Sequence, residues 1–467
     1  MSSQLSIRVC LAVAFGSCMM PALAQIKLPN LFPFPNAHGI SQTYNKNGNG
    51  QIDLGNAFFQ SLGTNGRSCS SCHQPDQGWS IAASSVALRF LLTRGLDPIF
   101  RTVDGSVCDH GIDTSTFSGR EQAYKLLTSR GLLRIGIGVP SAAEFDVVGV
   151  NNPYGCNETT TISTYRRPLP ATNLRFLSAV MWDGRESTAP STAAIVPGAY
   201  PANLIADLAH QAQDATAGHA QAAKPLTQAQ MDEIVNFEYG LYTAQGIDYG
   251  AGSLSAGGAK GGADELADQQ YYAGINDPLG QNPTGAPFTP AIFNLYDTWT
   301  NSHGLGSQAR NSIARGEELF NRHPINITGV AGLNDALHQD SISGTCGTCH
   351  DSPNAGNHSI SVPLNIGVSD LTNPLGVGYL PVVTLRNKTT GAIVKTTDPG
   401  RALITGQWAD IGKVKGPLLR GLAARAPYFH NGSANSLGEV VDFYNTRFGI
   451  GLTAQEKADL VAFLNSL

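Results

Sequence analysis

Methionine is scarce in this 467-residue chain: the five are Met1, Met19, Met20, Met181 and Met231. The C-terminal half therefore has no thioether to offer a metal. Charged residues are also few, at 14 % of the chain, and the net charge is −5. That mild acidity argues against a nucleic-acid binder, which needs a basic face. Beyond Met20 no apolar run is long enough for a bilayer-crossing helix, so no membrane span is expected in the body of the chain. Glycine and proline are plentiful instead, 52 and 26 residues, which predicts many turns and long loops between short elements.

The chain opens with Arg8, an apolar run from Val9 to Met20, then Pro21 and "ALA" before Gln25. This is the pattern of a secretory signal over residues 1–24, cleaved after Ala24, and it predicts export to a bacterial periplasm. A lipid anchor at Cys18 is the alternative, although Phe15 fits such a site poorly. Of the eight cysteines, Cys10 and Cys18 leave with the signal. Cys108 and Cys156 stand outside any motif; in an oxidising compartment a disulfide is their simplest reading, with two free thiols as the alternative.

The other four cysteines write one pattern twice: "CSSCH" at Cys69, Cys72 and His73, and "CGTCH" at Cys346, Cys349 and His350. C-x-x-C-H is the attachment signature of c-type haem, in which the thiols add to the vinyl groups and the histidine becomes the proximal iron ligand. A redox dithiol has no use for that histidine. A four-cysteine zinc site would leave both histidines without a task. Two covalently bound haem c groups are the expected cofactors.

Each motif is followed by a similar closing segment, "LTQAQMDEIVNFEYGLY" from Leu226 and "LTAQEKADLVAFLNSL" from Leu452. Thr227 and Thr453 read as helix N-caps, with Gln230 and Glu456 at the reciprocal capping position. The chain thus divides into two cytochrome-c-like units: 25–245, carrying an insertion at 78–166, and 306–467. Between them lies a Gly-rich linker over 246–305, whose "GAGSLSAGGAKGGAD" has the character of a flexible loop. Helices are expected near 56–62, 85–93, 120–130, 174–181, 202–217, 228–242, 308–321, 437–447 and 454–465, with a few short strands, for example near 382–385 and 392–395. The expected fold class is mainly α.

"MWDGRE" after the first motif and "APYFHNGSANSLGEVVDFY" after the second resemble the marks of the bacterial di-haem cytochrome c peroxidase superfamily, which includes the di-haem enzyme that matures methylamine dehydrogenase. The resemblance implies a division of labour. The haem on Cys69, Cys72 and His73 would be peroxidatic, with an open or openable face. The haem on Cys346, Cys349 and His350 would transfer electrons, and Trp182 would relay charge between them. Counting on from His430 in "PYFH", as the family does, brings Tyr444 to the place of the axial methionine; the maturation enzyme is similar in having tyrosine there. Tyr444 is the expected sixth ligand, and as a hard anionic donor it would give a low-potential haem. The alternatives are His430 or His358 as ligand, or a vacant position.

The family normally places a glutamate beyond a Gln-Ala pair in the helix after "WDGR". Here the pair is Gln211 and Ala212, and the following "DATAGHAQA" has no glutamate. His219, the nearest residue able to shuttle a proton, is the candidate distal acid/base, and Gln221 its hydrogen-bond partner. Arg185 and Arg420 match family arginines that pair with haem propionates, and His430 is a further propionate partner. Calcium, often held between the domains in this family, stays an open question because Arg425 and Pro168 lie close to its usual place. "NKNGNGQID" from Asn45 lacks the acidic ends of a calcium loop and reads as a turn.

The expected function is a peroxidase reducing hydrogen peroxide to water, fed by a small donor protein of cytochrome c or cupredoxin type. A maturation-type oxidase acting on a protein or organic substrate, a di-haem oxygenase, and a plain electron-transfer cytochrome are the alternatives.

Overall fold

The computed structural model describes residues 26–187 and 200–467. The expected export segment 1–24, with Cys10 and Cys18, lies outside the described residues. Helices form where the sequence marks their ends. Thr227 and Thr453 cap Gln228–Gly240 and Ala454–Asn465, each in a reciprocal box with Gln230 or Glu456. Ala83–Thr93, Ala202–Gly218, Ser307–Arg322 and Leu437–Phe448 lie where periodicity puts them. Other expected helices shorten: 120–130 splits into Phe117–Ala123 and Lys125–Arg130, while 56–62 and 174–181 shrink to the single turns Ala57–Phe59 and Leu174–Phe176.

The fold is not mainly α. Helix accounts for 30 % and strand for 17 %, and the strands make five small sheets among the described residues. Three of the strands, Leu133–Gly138, Phe145–Asn151 and Thr161–Arg166, come from the segment assigned to the insertion. Leu133–Gly138 pairs with Thr161–Arg166, Phe145–Asn151 with Val382–Asn387, and Leu241–Asp248 with Gly39–Asn45. Their β-branched residues, such as Ile135, Ile137, Ile162 and Val147, favour strands. Gly136, Gly138 and Gly149 interrupt the alternation that would have announced them.

The Gly and Ala-rich stretch is packed. Ala251, Leu254, Ala259, Ala263, Leu266 and Ala267 are all buried, and Ala263–Ala267 is a short helix. Small side chains here allow close approach to Tyr296 and Trp299, which share the same core cluster. Among the described residues no helix is long and apolar enough to cross a membrane.

A buried ion network ties distant parts of the chain together. Arg166 donates to Asp398 through Nε and Nη2 at 2.7 and 2.9 Å, and to Asp183 through Nη1 at 2.5 Å. Burial pushes both carboxyls up, but the charge and hydrogen bonds of Arg166 outweigh it, with help from Arg185 at Asp183, and hold both below the usual range. Arg166→Met should therefore strand two buried carboxylates and lower stability by roughly 3–5 kcal/mol in chemical denaturation. In the wild type this contribution is complete above the ordinary aspartate pKa of about 3.9 and is lost as pH falls through the depressed native values. The variant should lack that acid limb.

Candidate haem-attachment centres

Both C-x-x-C-H motifs fold as the same tight turn, Cys69–Ser71 and Cys346–Thr348. Each is locked by a reciprocal pair of hydroxyl residues, Ser68 with Ser71 and Thr345 with Thr348. Each histidine N–H closes the turn on the first cysteine carbonyl, at 3.0 Å for His73 and 3.1 Å for His350. The four thiols are unpaired, and burial pushes their pKa values up. Cys108 and Cys156 form a disulfide.

The two imidazoles are oriented in the same way. His73 Nδ1 donates to the Trp79 carbonyl at 3.1 Å, and His350 Nδ1 to the Gly356 carbonyl at 2.7 Å. Both acceptors lie six residues past the histidine, and both have left-handed backbone, with φ of 57° and 73°. For Trp79 that conformation costs about 1–2 kcal/mol. It is held by burial, by an Nε1 bond to Thr43 Oγ1 at 2.9 Å, and by edge contacts with Phe58, Phe59 and Phe237. At Gly356 a Cβ would approach Phe293 to 2.8 Å and Leu419 to 2.9 Å, so only glycine fits. Fixed at Nδ1, each ring keeps Nε2 for a metal. Burial lowers both rings to about 4, so they are neutral.

Behind His73 opens a cavity of about 180 Å³, lined in part by Trp182, Arg185, His219, Glu238 and Lys415. His219 Nδ1 donates to Asp104 Oδ2, and the other oxygen of Asp104 accepts from Arg67 Nη1. Burial raises Asp104, and His219 followed by Arg67 outweighs it, leaving the carboxyl below its usual range. A histidine held at Nδ1 by a carboxylate presents Nε2 for proton transfer. Gln221 lies elsewhere: it is exposed and accepts a bond from Asn65 Nδ2 at 3.2 Å.

Tyr444 stands on Leu437–Phe448, beside Phe429 and Phe448. Burial, then the nearby Cys349 and Cys346, push its phenol well above the usual value. Trp182 Nε1 donates to the Arg167 carbonyl at 2.8 Å, and its ring centroid lies 5.9 Å from that of His430. His430 is buried and near Asp398, at 3.7 Å. Arg185 pairs with Asp183 at 2.8 Å. Arg420 is buried, with its Nη atoms on the carbonyls of Asn354 and Gly262 and its Nε without a partner among the described residues.

Several buried cations share this lack of an anion. Among the described residues the Lys415 ammonium bonds only to the Gly416 carbonyl, at 3.4 Å, and burial followed by the charge of Arg425 lowers it to about 7. Arg167 is likewise buried among carbonyl acceptors, and Arg425 is half-buried among them, its Nε without a partner among the described residues. Such groups call for a buried negative charge. Haem propionates carry it, so the residues fit haem c: cysteine pairs for attachment, oriented imidazoles for iron, and orphaned cations for the acidic edge. Sequence reasoning missed Lys415 and Glu238. Glu238 lines the cavity with one unpartnered oxygen, and burial raises it to about 8. Neither residue stands in a motif that would have flagged it.

No protein-family model matches the chain. It is 38 % identical to cytochrome-c peroxidase IdrP2 of Denitromonas iodatirespirans over 138 residues, which is 27 % of this chain and 36 % of the relative. Over that stretch the chain is similar to cytochrome-c peroxidases. Cytochrome-c peroxidase IdrP1 of Pseudomonas sp. (strain SCT) is 43 % identical over 81 residues, 15 % of this chain and 21 % of that one. The chain thus spans well under half the length of these curated relatives of the superfamily. Among solved structures, a MauG-like protein associated with microbial copper homeostasis aligns over 97 % of this chain and 95 % of its own, at 17 % identity and a TM-score of 0.39.

The close fit around Gly356 gives a direct test. Gly356→Ala should lower stability by roughly 2–4 kcal/mol in chemical denaturation, from backbone strain plus overpacking. Gly378→Ala, where an added Cβ meets nothing within 4 Å, should change it little.

Proposed function

We propose that the chain is an exported, two-unit enzyme that reduces hydrogen peroxide to two waters, taking two electrons from a small donor protein and two protons from solvent. Cys69, Cys72 and His73 would hold one haem c, and Cys346, Cys349, His350 and Tyr444 the other. Haem iron supplies the redox chemistry when bound. The N-terminal unit is the proposed site of peroxide cleavage, and the C-terminal unit the proposed entry point for electrons.

The observation that carries this reading is the Arg67–Asp104–His219 chain at the wall of the His73 cavity. Arg67 fixes Asp104, and Asp104 fixes the His219 tautomer. His219 Nε2 then takes the proton from the nearer peroxide oxygen and returns it to the leaving one. This takes the place of the glutamate that the family pattern has and this chain lacks. Gln221 contributes at a distance, through its bond to Asn65, whose Nδ2 also donates to the His219 carbonyl at 2.8 Å. Trp182, adjoining both the first cavity and His430, is the proposed relay between the units.

A second reading, oxidation of a protein or organic substrate, is favoured by one observation: Tyr444 adjoins Cys346 and Cys349, in a half of the chain that has no methionine. A phenolate ligand would stabilise ferric and higher states over ferrous.

Stoichiometric peroxide added to the fully ferric protein separates the two. A fast response of both haem spectra supports the tyrosine-type reading; a response only after half-reduction supports the donor-fed peroxidase. In either case His219→Ala should slow the reaction with peroxide by about 10²–10⁴-fold, read by stopped-flow absorbance. An unchanged rate removes His219 from the proton path.

A further inference from the structure

Apart from the two histidine-oriented centres, three buried ionisable side chains converge. Asp277, Asp351 and His358 are 2 %, 0 % and 3 % exposed, and each offers a ligand atom within 4.8 Å of the other two. His358 Nδ1 donates to Asp351 Oδ2 at 2.8 Å, and Asp351 Oδ1 accepts from the Ser359 N–H at 2.6 Å. One oxygen of Asp277 accepts from the Gln281 N–H at 2.7 Å. Asp277 Oδ1 and His358 Nε2 have no hydrogen-bond partner among the described residues.

This arrangement has a specific chemical form. A carboxylate that takes the Nδ1 proton of a histidine fixes its tautomer and leaves Nε2 as a lone pair, as in carboxylate–histidine–metal triads. A second buried carboxylate with a free oxygen stands on the same cluster. Two carboxylates around one imidazole leave negative charge uncompensated in a region shielded from solvent, even if the ring is protonated. The charges that act on His358 are those of Asp351 and Asp277. A cation would satisfy both orphaned atoms and the charge at once.

We propose that His358 Nε2 and Asp277 Oδ1 bind a divalent cation, with Asp351 as the residue that positions His358. One imidazole nitrogen with carboxylate oxygen suits zinc or manganese; calcium and magnesium prefer all-oxygen sites. The ion would staple the segment around Asp277 to the loop that follows the second C-x-x-C-H motif. It is distinct from the iron centres, whose histidines are oriented by Trp79 and Gly356. It also gives His358 a role other than the iron ligand considered from the sequence.

The test uses the purified haem-loaded protein, equilibrated separately with Zn²⁺ and with Mn²⁺, desalted, and analysed for metals with its own iron as internal standard. One zinc or manganese retained per chain is expected, together with a higher melting temperature in the presence of that metal. Retention should be lost in both Asp277→Asn and His358→Gln, and Asp351→Asn should weaken affinity by about 10–100-fold. No retention and no thermal shift in the wild type would overturn the proposal without reference to any variant. Retention unchanged in Asp277→Asn and His358→Gln would overturn it too.

Discussion

One constraint recurs on both sides of the molecule: an imidazole is of use to iron only if its Nδ1 proton is already committed. His73 and His350 commit it to backbone carbonyls, each six residues downstream and each on left-handed backbone. The two copies solve the same steric problem by opposite means. The second uses glycine at a point where no Cβ fits. The first accepts the strain of tryptophan and holds it with an aromatic cage and a threonine hydroxyl. The rest of the architecture supports these two loops. Phe237, from the helix capped by Thr227, touches Trp79, and Phe293 and Leu419 close on Gly356.

Burial of charge is the second theme. Arg166 pairs with two carboxylates, one of them shared with Arg185, so that network serves cohesion between segments far apart in the chain. Lys415, Arg167 and Arg420, buried, and the half-buried Arg425 are different: they lie among carbonyls with no carboxylate hydrogen-bonded to them among the described residues. In a low-dielectric interior that imbalance favours an acidic ligand, and it concentrates next to Trp182 and the C-terminal motif loop. A protein with no anionic cofactor would gain little from such an arrangement, since apolar residues of similar volume would serve stability as well or better.

The sequence made the chemistry legible and much of the scaffold illegible. Both attachment motifs and the capped closing helices could be read from local spacing, and the cysteine pair 108 and 156 from being left over in an expected oxidising compartment. Trp182, Tyr444 and His219 were reached through resemblance, and each adjoins a motif cluster in space. The strands expected near 382–385 and 392–395 form as the pair Val382–Asn387 and Ile393–Thr396; the other sheets escaped because their strands are short, broken by glycine, and paired across long separations, such as Gly39–Asn45 with Leu241–Asp248. The alanines of the Gly-rich stretch looked like slack and are core. Asp104 behind His219, 115 residues away, and Asp398 behind Arg166, 232 away, carry no local signal. Only the folded chain shows why those partners are needed.

The central claim is that two porphyrins are covalently joined to this chain, one at each oriented histidine. Mass spectrometry of the denatured purified protein tests it most directly. The account predicts the mass of the polypeptide plus two porphyrins, with one lost when Cys69 and Cys72 are replaced and the other when Cys346 and Cys349 are replaced. A mass equal to the polypeptide alone, or one that both replacements leave unchanged, would contradict it.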